Sequence, residues 1–267
     1  MGDGSGFQVG ERAPSHYQVR VEKLMAPFVS ALVAEAIRPG DRVLDVACGT
    51  GFATRAAARV AGPQGTVIGS DVNPGMVVAA RSVPCEGFDI TWQEASALDL
   101  PFADGEFDAV ISQQGVQFFP SPASGLQEMA RVLRPEGRLA VTVWGEIEQN
   151  PFFAAEIDML VNSSDAEPGA GSDAFPIGGD NQIRLWFEEA GLGEPRVELI
   201  ESIISLPPPS EYVPQHLKAL PWSSAFFELP PAAQAEAMES LIAQLAEYAT
   251  SGGIAVPFRS HLASVTV

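Results

Sequence analysis

Apolar positions along this chain fall into two alternating periods. From Ser15 to Ile37, Val21, Leu24, Met25, Phe28, Leu32 and Val33 recur at helical spacing. Arg38-Pro39-Gly40-Asp41 ends that run, because a proline disfavours helical geometry at the residue before it. Arg42 to Ala47 is a short, apolar, β-branched run followed by glycines, the pattern of a buried strand opening into a tight turn. Phe52 to Ala61, rich in Ala and Arg, predicts a helix. The alternation then repeats, with strands over 66–71, 89–94, 107–113 and 137–144 and helices over 74–82 and 122–133, the second stopped by Pro135. Strands alternating with helical segments of about ten residues predict βαβ units and a parallel sheet.

After Trp144 the rhythm breaks. Asn150-Pro151-Phe152-Phe153 and a helical patch lead into a Gly/Asp/Ser-rich stretch, Ser163 to Asp180. A helix over 181–190 and a strand over 196–206 resume the pattern. Pro207-Pro208-Pro209 then precedes a mostly helical block to about Thr250, and alternation over Phe258 to Val267 predicts a last strand. The expectation is one α/β domain over residues 1–267, with a tail and helix at 1–37, a core at 40–150, and insertions at 150–180 and 208–250.

Composition narrows the function classes. Of the 267 residues, 46% are hydrophobic and 18% charged, which suits a folded domain with a sizeable core. No stretch approaches the roughly 20 apolar residues of a membrane span. The first ten residues lack a basic start followed by an apolar run, so a cytoplasmic protein is expected. Lys and Arg number 15 against 34 Asp and Glu, a formal net charge of −19. Such a surface repels phosphate backbones and anionic lipid, which turns expectation away from nucleic acid and membranes and toward a small molecule. Cys48 and Cys85, the only cysteines, lack CxxC spacing and a matching His cluster, so no metal site is expected.

The sharpest motif is Val43-Leu44-Asp45-Val46-Ala47-Cys48-Gly49-Thr50-Gly51. Glycines after a first strand let the backbone turn sharply and let a ligand approach without a Cβ in the way. Asp45 selects the ligand. In a nicotinamide-binding fold this turn holds a pyrophosphate, and a carboxylate about 4 Å from such a charge costs roughly 4 kcal/mol at an effective dielectric near 20. A carboxylate suits instead the ammonium of S-adenosylmethionine. Thr54 also stands where the dinucleotide fingerprint wants a third Gly or Ala. The competing account of Asp45 is a strand-end carboxylate bonded to backbone amides.

Asp71 closes the second strand, placed to accept hydrogen bonds from ribose hydroxyls, whichever nucleoside is bound. Met76 can lie against an adenine face or serve as a core methionine. Glu94, with Ala95-Ser96 after it, can read the adenine amine or face solvent. Gln113 and Gln114 end the fourth strand at the point where the sheet reverses its winding, where open α/β sheets bind ligands.

Together with Leu100 to Asp108 and Arg131 to Leu139, these segments resemble class I S-adenosylmethionine-dependent methyltransferases of the ubiquinone/menaquinone-biosynthesis type, over about residues 40–150. The resemblance implies a Rossmann-like, doubly wound, seven-stranded sheet whose last strand is antiparallel. It implies that Asp45, Gly49 and Gly51 hold the methionyl part, Asp71 the ribose and Glu94 to Ser96 the adenine, with Gln113 and Gln114 flanking the methionyl arm. Ala47, Val72 and Met76 complete the cofactor-binding set. Two positions depart from the family: Ala47 and Glu136 stand where relatives commonly have Gly. In this family the N-terminal helix and the insertions cover the substrate.

Methyl transfer is an in-line displacement that places the nucleophile about 3–3.5 Å from the methyl carbon and excludes water. His16, Tyr17 and His216 are the residues that could face the acceptor, and His261 reads as structural; no base is assigned. Phe118, Phe119, Phe152, Phe153, Trp222, Phe226 and Phe227 suit an apolar or aromatic acceptor, or simply pack the cover. The other classes are a nicotinamide oxidoreductase, disfavoured by Asp45 and Thr54, and a nonmethylating protein that keeps the nucleoside.

Overall fold

The computed structural model describes residues 14–88, 90–163, 175, 179–218 and 223–267, with side chains from residue 22 onward. The elements are α1 (Pro14–Ala36), β1 (Arg42–Val46), α2 (Phe52–Ala61), β2 (Thr66–Asp71), α3 (Pro74–Ser82), β3 (Ile90–Glu94), β4 (Phe107–Gln113), α4 (Pro122–Arg131) and β5 (Leu133–Trp144). They continue with α5 (Pro151–Ser163), α6 (Gly179–Glu189), β6 (Arg196–Leu206), α7 (Pro209–Leu217), α8 (Ser224–Glu228), α9 (Pro231–Gln244), β7 (Ala249–Thr250) and β8 (Gly253–Thr266).

Seven long strands form one sheet in the order β3-β2-β1-β4-β5-β8-β6, and the two-residue β7 pairs with β8. The pairs from β3 through β5 are parallel. β8 runs antiparallel between β5 and β6, so the last strand is the reversed one, as the resemblance implied. Winding reverses between β1 and β4. The central strands are apolar without alternation because helices cover both faces: Val43, Leu44, Val46, Ala109, Val110 and Ile111 are all buried. On one face α2 offers Ala53, Ala57, Ala58 and Ala61, small enough for the helix to lie close, and α1 adds Val29, Leu32 and Val33. The other face buries Leu126 and Met129 of α4 and Ile183 and Phe187 of α6. A third cluster, rich in aromatic residues, joins α1, α5, α7 and α9 to the ends of β5 and β8.

Two boundaries differ from the pattern. β8 begins at Gly253, not Phe258, and pairs with β6 from Ile254 opposite Leu206 to Ser264 opposite Arg196. Pro257 is tolerated there because β5 reaches β8 only from Ser260 onward, leaving one side of the strand open at the proline. β5 begins at Leu133, where Leu133 pairs with Phe107 across a register shift, and α4 stops at Arg131. Glu136 takes up the irregularity at φ 64.

Candidate functional site

The turn from β1 into α2 is built on left-handed backbone. Ala47, Gly49 and Gly51 have φ of 57, 54 and 82. A Cβ on Gly49 would meet nothing within 4 Å, so this face of the loop is open. Gly51 is different: a Cβ there would lie 2.2 Å from the Trp92 indole, which reaches over from β3. The same indole would lie 2.6 Å from a Cβ on Gly69, opposite Trp92 in the β2–β3 register. Two glycines therefore make room for one ring, a relationship that the local sequence pattern does not display.

Asp45 is fully buried. Thr54, on the first turn of α2, donates its hydroxyl to Asp45 Oδ2 at 2.6 Å. Oδ1 is buried with no hydrogen-bond partner. Burial, then the charge of Asp71, pushes this carboxyl up to about 7 against the opposing help of Thr54 and Arg55. A buried acceptor with a vacant lone pair beneath an open glycine loop suits a cationic ligand group. Thr54 holds this carboxyl through its hydroxyl and also through its backbone amide. The sequence signal was present in Thr54, where the dinucleotide fingerprint calls for a small residue.

Asp71 ties the loop to β2. Its Oδ2 accepts from the Gly49 N–H at 2.8 Å and its Oδ1 from the Asn73 N–H at 2.9 Å, while burial raises its pKa. Each oxygen keeps a lone pair, so a ribose hydroxyl can still be received. Asn73 in turn caps α3 by accepting from the Gly75 N–H at 2.9 Å. Met76 is buried on α3, whereas Val72 is 53% exposed beside it. Glu94 lies opposite Asp71 at the end of β3 and is exposed, and the Ala95 N–H donates to the Asp71 carbonyl at 3.0 Å. Ser96 accepts from the Leu98 N–H at 3.1 Å. Asp71, Val72, Met76, Glu94, Ala95 and Ser96 thus gather at the carboxyl ends of β2 and β3.

The glutamines diverge. Gln113 donates to the Met25 sulfur of α1 at 3.2 Å. Gln114, at φ 53, crosses β5 and donates to Ser260 Oγ at 2.9 Å. His216 lies on α7 against Glu156. The side chains of His16 and Tyr17, and Trp222, lie outside the described residues. Phe152, Phe153 and Phe226 belong to the aromatic cluster with Phe118 packed on it, Phe119 packs on the α4 cluster instead, and Phe227 is 37% exposed. His261 is buried in β8, where burial lowers its pKa.

Residues 44–141 match the methyltransferase domain family. The chain thus carries a methyltransferase domain over residues 44–141, and over part of its length it is similar to quinone methyltransferases. The chain is 42% identical over 176 residues to an uncharacterised protein of Mycobacterium tuberculosis, a match that covers 65% of the chain and 59% of that relative. It is 44% identical over 104 residues to the demethylmenaquinone methyltransferase of Symbiobacterium thermophilum, covering 38% of the chain and 41% of the relative. The chain therefore spans about half the length of the curated relatives it matches. Among solved structures, a candidate methyltransferase from an antibiotic biosynthesis pathway of Anabaena variabilis superposes with a TM-score of 0.61 at 19% identity, over 96% of this chain and 99% of that one, and so shares the fold.

Proposed function

We propose that this methyltransferase domain moves a methyl group from S-adenosylmethionine to a small apolar or aromatic acceptor by in-line displacement. One observation carries the reading: the buried, unpartnered Oδ1 of Asp45 beneath the open face of Gly49. A cationic amino-acid tail supplies the donor that this oxygen lacks, and a diphosphate supplies only more negative charge.

In this reading Asp45, Ala47, Gly49 and Gly51 hold the methionyl end. Asp71 receives the ribose through the lone pairs its backbone bonds leave free, with Val72 and Met76 beside the base and Glu94 to Ser96 along its edge. Gln113 borders the methionyl arm from the end of β4. Gln114 contributes by fixing the β4 end to β8 through Ser260. The bound cofactor supplies an electrophilic methyl on a sulfonium. The protein's part is to place the acceptor atom in line with it and to exclude water. In this reading α1, with α5, α7 and α9, covers the acceptor, whose apolar character is supported by the aromatic cluster at the ends of β5 and β8.

Calorimetry tests the assignment. S-adenosylmethionine and S-adenosylhomocysteine are expected to bind and NAD(H) to give no heat; NAD(H) binding without S-adenosylmethionine binding would reverse it.

A further inference from the structure

β6 is the outermost strand of the sheet, and among the described residues no strand pairs with its outer edge. It is long and regular. All 11 residues pair with β8, from Arg196 opposite Ser264 to Leu206 opposite Ile254, with no shift in register. The outward N–H and C=O groups of such a strand are a template for another strand. Proteins blunt an edge of this kind with a proline, a lysine, a bulge or a very short strand, and β6 has none of them.

The strand is also apolar where it meets solvent. Only Ile204 and Leu206 are buried, whereas Leu199 is 45% and Ile203 68% exposed. Four residues apart on a strand, these two stand on one face with Glu201 between them. Charges along the strand are matched within the chain. Arg196 meets Glu198 at 2.8 Å and Glu35 of α1 at 2.9 Å. Arg259, opposite Glu201 on β8, donates to the Glu201 carboxylate at 2.6 Å. The chain carries a net charge of −19, so two copies repel each other over most of their surface. Along β6 the acids are neutralised. A basic partner would find these carboxylates already taken, and a second copy meets no repulsion there.

We propose that β6 is a dimer interface, in which the β6 strands of two copies pair antiparallel about a two-fold axis at Glu201 and join the two sheets into one. About that axis Leu199 of each copy stands opposite Ile203 of the other, so the same patch is its own complement. These are apolar cross-strand pairs of the kind that stabilise antiparallel strands. The two Glu201 carboxylates meet at the axis, each with its own Arg259 guanidinium to offset the charge. An axis at Ile200 would instead oppose Leu199 to Glu201. Main-chain bonds supply the rest. Every second opposed pair in an antiparallel ladder exchanges two N–H···O bonds, so an overlap of 11 residues makes about ten. A typical stable interface carries a similar number.

Light scattering and sedimentation of the full chain at micromolar concentration test the proposal. Wild type is expected at twice the 28.2 kDa of one chain. Ile203→Lys sets a charge against Leu199 at two symmetric positions and should weaken the dimer at least about tenfold. Leu199→Lys should act in the same way, and it decides the matter if circular dichroism shows that Ile203→Lys does not fold. Hydrogen exchange locates the contact: the outer amides of β6 should be protected in wild type and exchange fast in the lysine variants. A dimer that both folded variants leave intact, or one whose outer β6 amides exchange freely, overturns the proposal. A monomeric wild type also overturns it, and protected β6 amides in that monomer would mean that another segment of the same chain covers the edge.

Discussion

Thr54 gives Asp45 its principal hydrogen bond, 2.6 Å across the turn that joins β1 to α2. The bond links β1, which carries Asp45, to the helix that follows the glycines. Thr54→Val keeps the shape and removes the donor, leaving a second buried carboxyl oxygen unpartnered. The expected loss is about 1–3 kcal/mol of unfolding free energy. Thr54→Ser should restore most of it in a denaturant titration.

The pH response follows from Asp45. Its pKa is raised from 3.8 to about 7, so between those values the folded chain keeps a proton that the unfolded chain has released. This group favours the folded state fully below 3.8, and the contribution is lost as pH rises through about 7. The raised Asp71 carboxyl acts with the same sign. The ligand-free protein should therefore melt at a lower temperature just above neutrality than in mild acid, and Asp45→Asn should flatten that slope. S-adenosylmethionine affinity should move the other way, tightening as pH rises through about 7, because the ammonium pairs with the deprotonated form. An affinity independent of pH across that window would contradict the pairing.

Ala47 and Glu136 hold left-handed backbone with side chains attached, at φ 57 and 64. Left-handed geometry costs roughly 1–2 kcal/mol for a residue with a Cβ, partly offset by the chain entropy that glycine loses on folding. Ala47→Gly and Glu136→Gly should each raise stability by about 0.5–1 kcal/mol. Thermal melts of the two single variants and the double variant check both values and their additivity.

Gly51 combines φ 82 with an indole 2.2 Å from where its Cβ would be. Gly51→Ala should lose about 1–3 kcal/mol through overpacking and also displace the loop whose Gly49 amide Asp71 holds. Cofactor affinity and stability should fall together. Trp92→Leu in the same background should recover part of the stability, and recovery absent from a denaturation series would show that backbone strain alone is responsible.

The parallel strands were legible in the sequence because a strand buried on both faces needs a near-continuous apolar run, as in Ala109 to Ile111 and, interrupted only by Asp45, in Val43 to Val46. The acids at the carboxyl ends of β1 and β2 were legible because strand ends and glycines occur at fixed offsets, as with Asp45, Gly51 and Asp71. Gln114 was placed at the correct strand end, but the direction of its side chain depended on Ser260, 146 residues away. Trp92 gave no local sign that it fills the space left by Gly51 and Gly69. The extent of β8 was set by its antiparallel partner β6, whose full length it matches even through Pro257.

The sequence by itself determined the βαβ rhythm, the acidic glycine turn after β1 and the acid that closes β2, since periodicity and turn chemistry act over a few residues. Only the tertiary structure decided that Thr54 closes on Asp45, that Asp71 holds the Gly49 amide, and that Glu156 meets His216 among aromatic rings. Those pairings join residues from different elements, so they exist only where packing brings their polar atoms within reach and removes the water that would otherwise serve them.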